Sequence, residues 1–106
     1  MSLELSPLDE LEQLLDELLA LLDASGERYW SRHMRRAREG VVANRLAGVS
    51  RVLAAYGGED TFSDLELLAD AEDAELRLLA NRRLERLRNR IHELADRIAS
   101  GTARGP

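Results

Sequence analysis

Tyr56-Gly57-Gly58-Glu59-Asp60-Thr61-Phe62-Ser63-Asp64-Leu65 is the one stretch of this chain where the composition breaks. Everything around it is a Leu, Ala, Arg and Glu pattern of helical period. Gly57 suits the left-handed position that follows a helix C-terminus, and Gly58 extends the turn where a side chain could be a steric burden. Ser63 and Glu66 have the spacing of a capping box, and Phe62 ahead of the cap can pack on Leu67 as a hydrophobic staple. The stretch therefore reads as a helix stop joined to a capped helix start, with Leu65, Leu67 and Leu68 on the short helix it opens.

Working outward, the chain is all-helical. Leucine fills 21 of the 106 positions and alanine 14, while the only aromatics are Tyr29, Trp30, Tyr56 and Phe62, so the core must be Leu/Ala packing between helices. Strand formers are scarce, and no run alternates with period two. A chain of this length makes one domain that buries roughly two thirds of its unfolded surface.

Upstream, Ser6-Pro7-Leu8-Asp9 has an N-cap, a proline at the first helical position and an acid for the helix dipole. Leu8, Leu11, Leu15, Leu18 and Leu22 then recur at steps of three and four, a core face that Gly26 closes. Trp30, Met34, Ala37 and Val41 form the stripe of a second helix, whose end Gly40 and Asn44 weaken. A third stretch carries Leu46, Val49, Val52, Leu53 and Tyr56 inward, and its continuity with the second is open.

Downstream, Ala69-Asp70-Ala71-Glu72-Asp73-Ala74 is acidic and poor in bulky apolar groups, so a break falls there. A long final helix runs from about Ala74 to Ile98, with the narrow seam Leu84, Leu87, Ile91, Leu94 and Ile98. The expected architecture is a compact bundle of four to five helices, the long C-terminal helix packed on the N-terminal one. Residues 1–5 are expected to be flexible, 6–99 to form the domain and 100–106 to be a disordered tail.

The net charge of −5 hides an alternation. Residues 1–26 carry seven acids and no base, 27–51 seven arginines against two acids, 52–76 eight acids and no base, and 77–106 eight arginines against three acids. Helices of opposite sign laid side by side complement one another, at about 0–1 kcal/mol per exposed pair. All 15 basic residues are arginine, the mark of a GC-rich genome, and a bacterial source is expected. The absence of cysteine fits a reducing compartment, and no apolar run approaches the roughly 18 residues of a membrane span, so a cytoplasmic protein with no membrane partner is expected.

Several features together carry a resemblance: Trp30 on a short helix, Tyr56-Gly57-Gly58 closing the next, Phe62-Ser63-Asp64-Leu65, and Asn81-Arg82-Arg83-Leu84-Glu85-Arg86-Leu87 leading to Glu93-Leu94-Ala95. From Leu15 to Ala95 the chain resembles a small all-helical bacterial domain family of unknown function. It carries Glu59-Asp60-Thr61 where that family tends to have Met-Gly-Ser. The resemblance implies a helical fold and no established activity.

Glu59, Asp60 and Asp64 could ligate a divalent cation, but their spacing is not that of a calcium loop, and capping and solvation account for them. The same acids repel phosphate from the glycine turn. His33 and His92 each stand alone on a helix, which suits boundary packing better than metal binding. No nucleophile-and-base arrangement is recognisable, so neither catalysis nor a cofactor is expected. Arg28, Arg32, Arg35 and Arg36 on one face and Arg82, Arg83, Arg86 and Arg90 on the last helix could neutralise nucleic-acid phosphates, although the acidic helices beside them disfavour it. The reading that remains is a non-catalytic protein–protein interaction module, such as an immunity-type or regulatory binder. Its candidate corner is Trp30, Tyr56, Gly57, Gly58, Asp60, Phe62 and Asp64, either structural or presented to another protein. A homodimer through the final seam is the further alternative.

Overall fold

The computed structural model describes residues 6–43, 46–57 and 61–101. Four helices follow in order: α1 (Pro7–Ala24), α2 (Arg28–Val42), α3 (Leu46–Ala54) and, after a single 3-10 turn at Phe62–Asp64, α4 (Ala74–Ser100). No strand occurs among the described residues. Each helix packs mainly on two neighbours, α2 on α1 and α3, and α4 on α1 and α3, so the four close a ring around one core.

The helix starts follow the local chemistry. The Ser6 hydroxyl accepts the Asp9 N–H at 3.1 Å with Pro7 opening α1, and Asp73 caps α4 by accepting the Leu76 N–H at 3.0 Å. Gly26 turns the chain after α1 in the left-handed conformation, φ +76°. Leu11, Leu15, Leu18 and Leu22 are fully buried and meet Met34, Ala37 and Val41 of α2 and Leu84, Ile91 and Leu94 of α4 in a continuous core.

The charge alternation becomes contacts between helices. Arg35 of α2 holds Asp23 at 2.7 Å, and Arg38 holds Asp16 and, at 3.3 Å, Glu12. The partner number falls as the α2 number rises, so α1 and α2 are antiparallel. Arg90 of α4 reaches Glu10 at 2.6 Å. These pairs are partly exposed and set the pairing of helices more than they stabilise it.

α2 and α3 are separate helices. Gly40 and Gly48 touch backbone to backbone: a Cβ added to Gly40 would lie 2.6 Å from the Gly48 Cα, and one on Gly48 would lie 2.4 Å from the Val41 N. In one continuous helix these residues would be about 12 Å apart along the axis. Gly40, read from sequence as a weak helix end, is thus the point of closest helix approach. Leu46, expected inward, is 59% exposed, because this approach turns Gly48, Val49 and Val52 to the core instead.

The largest departure lies in residues 61–73, where no helix follows Ser63. Phe62–Asp64 make one 3-10 turn, Leu65 is extended, and turns carry the chain to Asp73. The capping box does not form, because the Ser63 hydroxyl donates to the Tyr56 carbonyl at 3.2 Å. A helix here would also end on Asp70, Glu72 and Asp73, acids at the negative pole of its dipole. At the start of α4 the same acids are favourable. Gly57 is not left-handed and has open space around it, so it is not the expected C′ glycine; Gly58, Glu59 and Asp60 lie outside the described residues.

The seam of α4 is covered within the chain: Leu84, Leu87, Ile91 and Leu94 are buried and Ile98 is half-buried, so it is not the dimer surface considered above. α4 continues through Ser100 to a left-handed Gly101, past the expected domain end at residue 99. Residues 1–5 and 102–106, expected to be flexible, lie outside the described residues. None of the described helices is long and apolar enough to cross a membrane.

The two kinds of glycine make a direct test. Gly48→Ala is expected to destabilise the fold by about 1–3 kcal/mol, since the methyl group meets backbone that has no rotamer to change. Gly57→Ala is expected to be neutral or stabilising by up to about 1 kcal/mol. Urea unfolding followed by circular dichroism measures both.

Candidate functional site

The segment 61–73 crosses α4 as a strap, and three side chains from one face of that helix hold its backbone. The Asn81 Oδ1 accepts the Leu67 N–H at 2.7 Å, and its Nδ2 donates to the Leu67 carbonyl at 2.9 Å and the Arg77 carbonyl at 2.8 Å. Arg88 Nη1 donates to the carbonyls of Phe62 and Leu65 at 3.0 and 3.2 Å, and Arg77 Nη1 to that of Ala71 at 2.7 Å. Non-helical backbone is thereby satisfied next to a core. Leu68, the one described non-glycine residue with positive φ (+53°), stands directly after the clamped Leu67, a conformation that costs roughly 1–2 kcal/mol.

The strap delivers Phe62, fully buried, to the centre of an aromatic group. Its N–H donates to the Ala55 carbonyl at 3.0 Å. Its ring lies 5.4 Å from Trp30, 5.5 Å from Tyr56 in a T-shaped pair, and 5.9 Å below the Arg88 guanidinium. Trp30 and Tyr56 are half-buried, each with one side on Phe62. The Tyr56 hydroxyl donates to the Arg88 carbonyl at 2.7 Å, and burial raises its pKa, opposed by the positive charge of Arg88. Both histidines are boundary groups: His33 Nε2 lies 3.1 Å from the Arg51 carbonyl with its ring edge-on to Trp30, and exposed His92 packs on Tyr56 at 4.7 Å.

The structure thus joins Trp30, Tyr56 and Phe62 of the expected corner, places Asp64 exposed beside them, and leaves Gly57 as an exposed bystander. Sequence reading missed Asn81 and Arg88 as holding groups. Their spacing of seven, with Arg77 four residues earlier, was the available signal for polar side chains on one helical face.

Two concavities meet at Glu85 and Arg88. One, of about 470 Å³, is also lined by Leu65, Glu66, Arg77, Leu78 and Asn81; the other, of about 370 Å³, by Tyr56, Ser63, Asn89 and His92. Arg88 is committed to backbone carbonyls, whereas Glu66 and Glu85 are exposed and make no ion pair among the described residues. The cleft thus combines two exposed acids with two arginines whose donors are turned to the strap backbone, beside the ring of Tyr56. Among the described residues no three His, Cys, Asp or Glu side chains converge as metal ligands.

Of the arginines, Arg28, Arg32, Arg36, Arg82, Arg83 and Arg86 are exposed, while Arg35 is paired with Asp23 and Arg90 with Glu10 and, at 3.2 Å, Glu93. Asp23 forms a second small network. It accepts the hydroxyl of buried Ser31, and that bond, with the Arg35 guanidinium, lowers its pKa below the usual 3.8 against a desolvation effect of opposite sign.

The sequence profile of a family described as a domain of unknown function (DUF6966) matches residues 23–75. That span contains α2, α3 and the strap, narrower than the Leu15–Ala95 resemblance, and it stops at the start of α4. No curated protein and no solved structure matches the chain.

Asn81→Ala is expected to cost about 2–3 kcal/mol, because it leaves both backbone groups of buried Leu67 without their partner. Asn81→Asp keeps an acceptor for the Leu67 N–H but turns a carboxylate oxygen toward the Leu67 and Arg77 carbonyls that the amide served, so its cost is expected to be at least that of alanine in urea unfolding at neutral pH. In Ser31→Ala, Asp23 is expected to titrate closer to 3.8, as read by NMR. The sign follows from the depressed folded value: Asp23 contributes stability above its unfolded pKa, the contribution is lost as pH falls through the folded pKa, and the variant loses it at higher pH.

Proposed function

We propose that this chain, which belongs to the DUF6966 family, is a non-catalytic protein–protein interaction module whose contact surface is the corner built by Trp30, Tyr56, Phe62 and the strap. The observation that carries this reading is the unequal burial of the aromatic group: Phe62 is fully covered, while Trp30 and Tyr56 are only partly buried. Partly exposed aromatics fixed by a buried neighbour bind at small entropic cost, and such residues concentrate interface energy.

The chemistry of the rim indicates the kind of partner. Glu66 and Glu85 are exposed acids lining the cleft, Asp64 is exposed next to the lining residues Ser63 and Leu65, and the guanidinium groups of Arg77 and Arg88 donate to the strap backbone. A partner presenting arginine or lysine beside an apolar group fits, as in an immunity-type or regulatory binder that covers a basic surface. A bacterial, cytoplasmic setting belongs to the same proposal and rests on the all-arginine composition and the lack of cysteine.

The test is recovery of a complex from the native host with tagged chain, followed by binding with the purified partner. Glu66→Arg with Glu85→Arg is expected to weaken binding at least about tenfold at unchanged helicity. Emission of Trp30, the single tryptophan, is expected to shift on binding. Isolation of the chain alone after in-cell crosslinking, or a complex indifferent to both reversals, overturns the reading; a mobility shift of RNA or DNA at low salt would favour the arginine faces instead.

A further inference from the structure

The first turns of α4 carry exposed leucines that the core does not use: Leu76, Leu78 and Leu79 are 53%, 52% and 55% exposed, although α4 is buried from Leu84 onward. Leu78 lines the cleft described above. Leu76 and Leu79 belong to a different face, continued at helical spacing by Glu75 before them and by Arg82, Arg83 and Arg86 after them. All six are exposed, and none of the four charged ones makes an ion pair among the described residues.

The order of charges along this stripe is self-complementary. Within α4 an acid precedes Leu79 by four residues, Glu75, and an arginine follows it by four, Arg83. A two-fold axis through the helix near Leu79 turns one copy onto another with the helices antiparallel. It sets Leu79 against its equivalent and Glu75 against Arg83 of the second copy, each Glu75–Arg83 contact occurring twice. A parallel arrangement would place like charges together, and a two-fold contact requires this kind of self-match.

We propose that this face of α4 is an isologous, antiparallel contact between two copies of the chain, with Leu76 and Leu79 at its centre and Glu75–Arg83 pairs at its ends. Its energetic core is four leucines, at the small end of interface sizes, so the association is weak, and its ionic ends make it salt-sensitive. It does not depend on the partner proposed for the aromatic corner. Of the contact, Glu75 lies at the last position of the family match and Leu76 to Arg86 lie beyond it.

Sedimentation velocity at low salt, up to about 0.5 mM chain, tests it. Wild type is expected to approach twice the 11.9 kDa chain mass and to fall toward the monomer at about 0.5 M salt. Arg83→Glu and Glu75→Arg, each alone, bring like charges together and are expected to weaken self-association at least about tenfold. An equimolar mixture of the two variants restores it, because in the mixed pair the two introduced charges meet each other in one contact and native Glu75 meets native Arg83 in the other. Leu79→Ser is expected to abolish association without altering the helical circular dichroism, the side chain being on the surface. A wild type that stays at the monomer mass throughout, or a dimer unaffected by these substitutions, or variants that fail to associate on mixing, overturns the proposal.

Discussion

The backbone contact of Gly40 with Gly48 is the constraint on which the rest of the structure depends. It allows α3 to fold back along α2 at a separation that any side chain would widen. Trp30, early in α2, and Tyr56, just beyond α3, are thereby brought to the same end of the helix pair. A single Phe62 then fills the space between them. Were the two helices farther apart, one ring could not touch both, and the corner would be an open gap.

The strap exists because α4 supplies hydrogen bonds that a helix would have supplied to itself. Residues 61–73 contain a capping signal and three leucines, and over so short a span local propensity is weak, since helix nucleation is costly and only a few bonds would follow. Asn81 and Arg88 offer the backbone of Phe62, Leu65 and Leu67 well-placed partners at once, and Phe62 and Leu67 become fully buried. Burying two large apolar side chains, at about 1.5–3 kcal/mol each, outweighs a strained Leu68. The same arrangement turns donors of Arg77 and Arg88 to the strap backbone, while Glu66 and Glu85 stay exposed at the cleft.

Much of this was legible in the chain itself. Ser6 with Pro7, the leucine steps of α1, the Trp30–Val41 stripe, the start of α4 at Ala74 and its seam all follow from period and capping, interactions reaching no more than about four residues along the sequence. The alternating charge blocks foretold which helices lie together, and the pairs Arg35–Asp23, Arg38–Asp16 and Arg90–Glu10 realise them. The candidate corner was partly legible too, because rare aromatics in a leucine core mark a distinct site. What was misread is instructive: Gly57 was assigned a conformational role it does not have, and Gly40 was denied the steric role it does.

By itself the sequence determined α1, the stripe of α2, the start and seam of α4 and the alternation of charge, because each rests on spacing within one or two turns. Only the tertiary structure decided that Ser63 does not cap a helix, that Asn81 and Arg88 hold the strap, and that two glycines eight residues apart meet. The hydrogen bonds in question join residues 7, 14, 23 and 26 positions apart. At such distances the outcome depends on which backbone groups the packed core leaves unsatisfied, a condition that has no value until the helices are in place.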